Sequence, residues 1–186
     1  MKDLAKESLR LYKKAKKATK EYYDFQMKHF WTNRVSLAYI QLFTSRGISL
    51  LSEEKEKVLG VMNLEDLKTG IYRYYNKDLG GLIAIYIGMS EVELFKRTIS
   101  FIGEIIRCFE HYKTYKNFDI KLSESHSKKF VMLCIEKGLD PISELENTYV
   151  QYCPCNSDFS LDFEKLSITE FRDHNDGEAP ILNVMR

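Results

Sequence analysis

Four residues of the chain carry side chains that zinc prefers, and they fall into two short patterns. Cys108 and His111 are three residues apart on a predicted helix, so both can point the same way. Cys153 and Cys155 flank Pro154 in a predicted turn. Thiolates and imidazole are preferred zinc ligands, and the four residues together would close a tetrahedral zinc site. The alternative is four ordinary side chains, since a free cysteine is often part of a core.

Catalysis has little support in the sequence. The chain contains no G-x-S-x-G nucleophile elbow, phosphate-binding P-loop, G-x-G-x-x-G turn or H-E-x-x-H helix. A dyad of Cys108 and His111 is sterically possible on one helix face, but no third residue can be named that would orient the histidine. The sequence therefore names no catalytic residue and favours a non-enzymatic role, with zinc as the one cofactor that its residues suggest.

The first twenty residues are strongly basic, with eight basic and two acidic side chains. The lysines that could contact a partner are Lys13, Lys14, Lys16, Lys17 and Lys20. Aromatic residues follow them from Tyr22 onward. The lysines could bind phosphates while the rings stack on bases, or both could contact an acidic protein. A solvated helix face is the alternative, and it is the usual role of a lysine run.

A repeat of seven residues runs along the same segment, through Leu4, Leu11, Ala18 and Phe25. This spacing places the side chains along one side of a helix, as in a coiled coil. We therefore predict a long helix over residues 3–31 that is able to protrude. It either packs on the body of the protein or pairs with a second copy to form a homo-oligomer.

Tyrosine and arginine form a second candidate contact surface. Tyr72, Arg73 and Tyr75 lie in a segment predicted as a helix, and both residue types are enriched at protein interfaces. At helical spacing the same residues could instead close the edge of the core.

The stretch 118–152 has the order of elements of a small DNA-binding unit. Residues 118–122 alternate apolar and charged side chains as a strand would, a glycine ends the helix that follows, and an Asp-Pro pair starts another. In this spacing the stretch resembles the ribbon-helix-helix family, which implies that Asp119 and Lys121 face the major groove. The alternative is a short connector between core helices, and the stretch contains four basic and six acidic residues.

Helices are favoured along most of the chain, which contains only three prolines and nine glycines. The clearest helix covers about 90–115, where apolar residues recur at spacings of three and four. That stripe consists of Val92, Phe95, Ile99, Ile102, Ile106 and Phe109. The other predicted helices cover 34–45, 52–62, 64–76, 123–137 and 140–152.

A chain of 186 residues can bury a core without disulfides or metal. We predict an all-α fold, a compact multi-helix bundle over residues 1–155 with at most one short strand or hairpin. Residues 156–186 contain seven acidic and three basic side chains without clear periodicity. They are predicted to form an extended or partly disordered acidic tail. This tail and the basic head, residues 1–31, could attract each other, or each could serve a partner.

The sequence contains no secretory signal and no apolar run near the ~20 residues that a membrane-spanning helix needs. With a net charge of +1, the chain has no overall excess that indicates nucleic acid or an anionic membrane. A soluble, cytoplasmic protein with reduced thiols is therefore expected.

Together these observations favour a small helical interaction or regulatory protein that acts by binding another macromolecule, first of all another protein. Its size and its many lysines and tyrosines are compatible with a phage or mobile-element origin. Two alternatives stay open. One is a nucleic-acid-binding regulator that uses the basic head or residues 118–152, and the other is a metal protein or enzyme built on the cysteines and His111.

Overall fold

The computed structural model describes residues 2–37, 40, 69–91, 94–122 and 125–183. Its helices are Lys2–His29 (α1), Lys77–Gly80 (α2), Leu94–Tyr115 (α3), Ser125–Glu136 (α4) and Ser157–His174 (α5), with a 3-10 turn at Ser143–Leu145. Its strands are Val35–Ser36 (β1), Gly70–Asn76 (β2), Ala84–Ser90 (β3) and Thr148–Pro154 (β4). No helix among the described residues is both long enough and apolar enough to cross a membrane.

The strands form one antiparallel sheet in the order β1-β4-β2-β3. In its interior Tyr72 lies opposite Gly88 on one side and Tyr152 on the other. Helices cover both faces of this sheet. The prediction of an all-α bundle with at most one short strand or hairpin is therefore wrong.

The two inner strands replace predicted helices. Residues 70–76 (GIYRYYN) and 148–154 (TYVQYCP) are rich in tyrosine and β-branched residues, which favour the pleated, half-buried surface of a sheet. The helix start signal at Asp140 does act, because its carboxylate oxygen accepts hydrogen bonds from the backbone N–H groups of Ile142 and Ser143. The turn that it caps ends at Leu145, so the helix predicted over 140–152 is wrong.

The predicted extended tail is also wrong, since residues 157–174 form α5. Asn156 caps this helix, its side-chain oxygen accepting a hydrogen bond from the backbone N–H of Asp158. Phe159, Phe163 and Leu166 pack beneath α1. Their spacing of four and three is the helical signal that the acidic composition of the segment obscured.

The ribbon-helix-helix unit is not formed in the described part of the chain. Residues 118–122 take no regular secondary structure, and β4 occupies the place of the second helix. Asp119 and Lys121 are both exposed on this irregular segment. The backbone carbonyl of Lys121 accepts a hydrogen bond from Arg107, which ties the segment to α3.

Three predicted helices are confirmed with small changes of boundary: α1, α3 and α4. The buried side of α3 is rotated by about one residue from the predicted stripe. Phe101, Ile105 and Cys108 are fully buried, whereas Ile99 is 38% exposed. Of the helix predicted over 34–45, Val35–Ser36 is a strand and most of the remainder lies outside the described residues, as does the helix predicted over 52–62.

Two hydrophobic cores lie on the two faces of the sheet. On one face the ring of Tyr74 stacks on Phe101 at 4.4 Å between centroids, and His126 stacks between Phe101 and Tyr86 at 5.0 and 4.1 Å. We call this the α3 side. On the other face, the α5 side, Phe163 packs edge-on against Tyr23 of α1 at 5.2 Å.

Replacing Phe101 with alanine should lower the free energy of unfolding by about 3–5 kcal/mol, because it removes a fully buried ring and leaves a cavity beside Tyr74. Urea unfolding measures this change. Leu82→Ala is the matched control, since Leu82 is 86% exposed and its loss should stay within about 0.5 kcal/mol. Equal losses for the two variants would contradict the described core.

Candidate functional site

The basic head of the chain divides into an exposed half and a docked half. Every described side chain from Arg10 to Ala18 is exposed, which includes Lys13, Lys14, Lys16 and Lys17. Docking begins at Lys20, whose Nζ lies 3.3 Å from Oε1 of Glu170. The hydroxyl of Tyr23 donates to the other oxygen of the same carboxylate at 2.7 Å. Glu170 of α5 is thus the anchor of α1.

The predicted heptad seam of α1 points away from this anchor. Phe25 lies two residues beyond buried Tyr23, which is roughly 200° around a helix of 3.6 residues per turn. Accordingly Leu11 is 52% exposed and Phe25 is 56% exposed. Phe25 makes ring contacts with His29 and Phe30 at 4.9 and 5.8 Å, so an aromatic patch lies at the end of α1.

The tyrosine and arginine surface is split, because its residues lie on strand β2 and not on a helix. Tyr72 points to the α3 side, where it packs against Tyr74 and Tyr86 and is only 2% exposed. Arg73 and Tyr75 point to the α5 side. The structure therefore brings Arg73 and Tyr75 together near the anchor of α1 and separates Tyr72 from them.

A cavity of about 300 Å³ opens beside Arg73 between the sheet and α5. Its polar lining comes from Arg73, Tyr75, Ser167, Glu170, His174 and Asn175. The Nη2 of Arg73 donates to the hydroxyl of Ser167 at 2.5 Å, and the guanidinium carbon lies 4.5 Å from the centre of the Trp31 ring. Arg73 and Tyr75 of this lining were selected from the sequence as contact residues, in a segment that was predicted to be a helix. None of the lining residues that α5 supplies was selected from the sequence.

The four candidate zinc ligands lie in two separate places. Cys108 is fully buried in the core of the α3 side, and His111 is hydrogen-bonded to Asn117 at 3.0 Å. Cys153 and Cys155 lie together in the core of the α5 side. Among the described ranges, no group of three or more His, Cys, Asp and Glu side chains is arranged to hold a metal ion.

Burial dominates the chemistry of these thiols. Loss of contact with water raises the pKa of Cys108 above its usual value and raises those of Cys153 and Cys155 to about 12. The thiol of Cys153 also faces the backbone carbonyl of Gln26, with Sγ 3.6 Å from that oxygen. Since the thiolate is the nucleophile and the metal-binding form, the raised pKa values disfavour both reactions at these thiols.

The described part of the chain is an α/β protein with an exposed basic helix and an arginine-lined cavity. Comparisons with models of known protein families, with curated proteins and with solved structures found no match.

Replacing Cys153 with alanine should make the protein less sensitive to alkaline pH. Folded, this thiol keeps its proton until about pH 12, whereas the ordinary pKa is 9.0. The unfolded chain therefore releases the proton first, and the free energy of unfolding falls as the pH rises from 9 toward 12. The fall is roughly 1.4 kcal/mol per pH unit for each such thiol.

Urea unfolding across this pH range measures the slope, which should be shallower in Cys153→Ala than in the wild type. Cys134→Ala should reduce the slope by a similar amount, since burial raises the pKa of that thiol to about 12 as well. Parallel slopes for Cys153→Ala and the wild type would mean that water reaches Cys153 in the folded chain.

Proposed function

We propose that the protein is a regulatory binding protein whose exposed half of α1 docks on an acidic protein partner. One observation carries the proposal. The second half of α1 is fixed to the body through Glu170, whereas the side chains from Arg10 to Ala18 face solvent. A helix held at one end presents its exposed face in a defined orientation, which lowers the entropy lost when a partner binds.

The charge of this surface favours an acidic partner. Lys13, Lys14, Lys16 and Lys17 follow one another within two turns, and no acidic residue interrupts the run from Arg10 to Lys20. Lys20 already binds a carboxylate of α5 within the chain. Complementary charge at the rim of an interface speeds association and excludes like-charged partners.

The apolar seam favours a protein over a nucleic acid. Leu11 and Phe25 are more than half exposed on one side of α1, next to Lys14, whereas Lys13, Lys16 and Lys17 lie on the opposite side of the helix. Such side chains contribute to binding when a partner helix covers them, whereas contacts with phosphates are made by cations and polar groups. A second copy is less favourable than an acidic partner, because its α1 carries the same lysines and supplies no complementary charge.

Crosslinking from the exposed seam tests the class of partner. A photoreactive amino acid at Leu11 in the full-length chain should capture, in cells, a protein with an acidic helical surface. The same residue at Leu161, which is 42% exposed on α5, serves as the control position. Capture of the same proteins from both positions would contradict the proposed docking surface.

Changing Lys13, Lys14, Lys16 and Lys17 together to glutamine should weaken binding of the captured partner by roughly tenfold or more. Each exposed ion pair contributes about 0.2–1 kcal/mol, so four lysines together decide affinity and its dependence on salt. Titration calorimetry at two ionic strengths measures both. The stability of the variant should be unchanged, since these side chains are exposed.

A matched control removes the same charge elsewhere, by changing Lys113, Lys116, Lys121 and Lys129 to glutamine. It should bind the partner as the wild type does. It also removes Lys121, which the ribbon-helix-helix alternative requires. An equal loss in both variants would mean that net charge alone drives binding, and the docking surface would be wrong.

Fluorescence anisotropy with labelled single- and double-stranded DNA and RNA tests the alternative that the protein binds a nucleic acid. Affinity for nucleic acid that falls steeply with salt, and that the α1 variant alone loses, would replace the acidic protein with a nucleic acid as the partner. Under the present proposal, both variants and the wild type bind these probes equally weakly.

A further inference from the structure

Arg73 occupies an unusual place for a cation. It lies in the middle of inner strand β2, opposite Ile87 of β3 and Gln151 of β4, on the face that α5 covers. Its neighbours along this face of β2 are Ile71 and Tyr75, which are 0% and 9% exposed. Taking a charge partly out of water is unfavourable unless another charge or several hydrogen bonds compensate it.

The contacts of Arg73 with the described residues are all to neutral groups. One face of the guanidinium lies over the Trp31 ring, and Nη2 donates to Ser167. The Nε atom is buried and has no hydrogen-bond partner within the described ranges. No carboxylate among the described residues lies within ion-pair distance of this side chain, which can donate five hydrogen bonds in a planar fork.

The one carboxylate that lines the cavity is already engaged. Glu170 accepts from Tyr23 at 2.7 Å and faces Lys20 at 3.3 Å. Its charge therefore serves the docking of α1. Of the residues that the structure describes, none supplies Arg73 with a directly paired anion.

The rest of the lining suits a small molecule with a polar end and an apolar body. His174 donates through Nδ1 to the backbone carbonyl of Glu170 at 2.7 Å, so its other ring nitrogen is left for another contact. Ile83, Ala84 and Phe171 supply an apolar wall. A volume of about 300 Å³ is at the lower end of the range for small-molecule sites.

We propose that this cavity is a binding site for a small organic anion, whose carboxylate or phosphate group pairs with the Nη donors of Arg73. A guanidinium binds both groups through two parallel hydrogen bonds, so the shared chemistry is that of a planar or tetrahedral oxyanion. Ser167 orients the guanidinium of Arg73 by accepting a hydrogen bond from Nη2, and the Trp31 ring packs against the plane of the guanidinium. The lining does not include Lys13, Lys14, Lys16 or Lys17, so the inference stands without the proposed partner.

The test follows the Nε–H resonance of Arg73 by NMR in the wild-type protein. Inorganic phosphate and butyrate are titrated separately at constant ionic strength with chloride as the reference ion. One of the two probes should shift this resonance saturably, because its oxygens pair with the Nη groups of the same guanidinium. A response to phosphate alone assigns a phosphate ligand, and a response to butyrate alone assigns a carboxylate.

Arg34 supplies an internal control. Its guanidinium also lies over an aromatic ring, that of Tyr75 at 3.8 Å, but Arg34 is exposed and does not line the cavity. Its Nε–H resonance should move no more with either probe than it does with chloride. Shifts of equal size at Arg34 and Arg73, or no saturable shift at Arg73 with either probe, would overturn the proposal.

A pair of variants tests the same site by thermal unfolding. The effective probe should raise the midpoint of unfolding in the wild type and in Arg34→Gln, and this gain should be lost in Arg73→Gln. Arg73→Lys keeps the charge but removes the fork, so it should retain only part of the gain. An undiminished gain in Arg73→Gln or Arg73→Lys would place the anion elsewhere.

Discussion

Successive side chains of strand β2 point to opposite faces of the sheet, and the remainder of the structure depends on this alternation. Tyr72 and Tyr74 enter the core under α3, while Ile71, Arg73 and Tyr75 enter the layer under α5. A shift of one residue in its pairing would exchange these two sets and bury Arg73 among stacked rings. Gly70 helps to fix the register, because its φ of +148° and the Cys153 carbonyl beside it leave no room for a side chain.

The same alternation places Arg73 on the face where α1 docks. The α3 side contains stacked rings and the buried carboxylate of Glu104, which accepts a hydrogen bond from Ser127, whereas the α5 side holds Lys20, Arg73 and Glu170 between apolar groups. Tyr23 connects these charges, since burial and the nearby Glu170 raise the pKa of its phenol and keep it a hydrogen-bond donor. The sequence suggested an attraction between the basic head and the acidic C-terminal segment, and the contact of Lys20 with Glu170 is one such interaction.

The sequence predicted those helices whose pattern is contained within a single segment of the chain. The heptad of α1 and the three-four spacing of α3 were recognised because each pattern is local and long. Strands β2 and β4 were missed although Tyr and Val favour sheets, since the start signals before them are those of helices. These segments form strands because they pair with strands that are distant in the sequence. Such pairing cannot be recognised in a single sequence.

Only some residues of the cavity beside Arg73 were selected from the sequence, because the others are brought to it from distant parts of the chain. Lys20, Arg73 and Tyr75 were chosen as interface residues, and they do lie near one another, but Ser167 meets Arg73 across 94 residues of chain. The C-x-x-H and C-x-C patterns have plausible spacing, yet a sheet that spacing cannot reveal places Cys108 and Cys153 in different cores.

The place of β4 has a consequence for how the protein is made. This strand lies between β1 and β2, so neither can complete its pairing until residues 148–154 have been synthesised. At about 5–20 residues per second, α1 precedes its docking surface by on the order of ten seconds. The docking of α1 therefore waits for α5 to be synthesised, and during that interval the nascent chain presents its basic helix without the acidic segment that later anchors it.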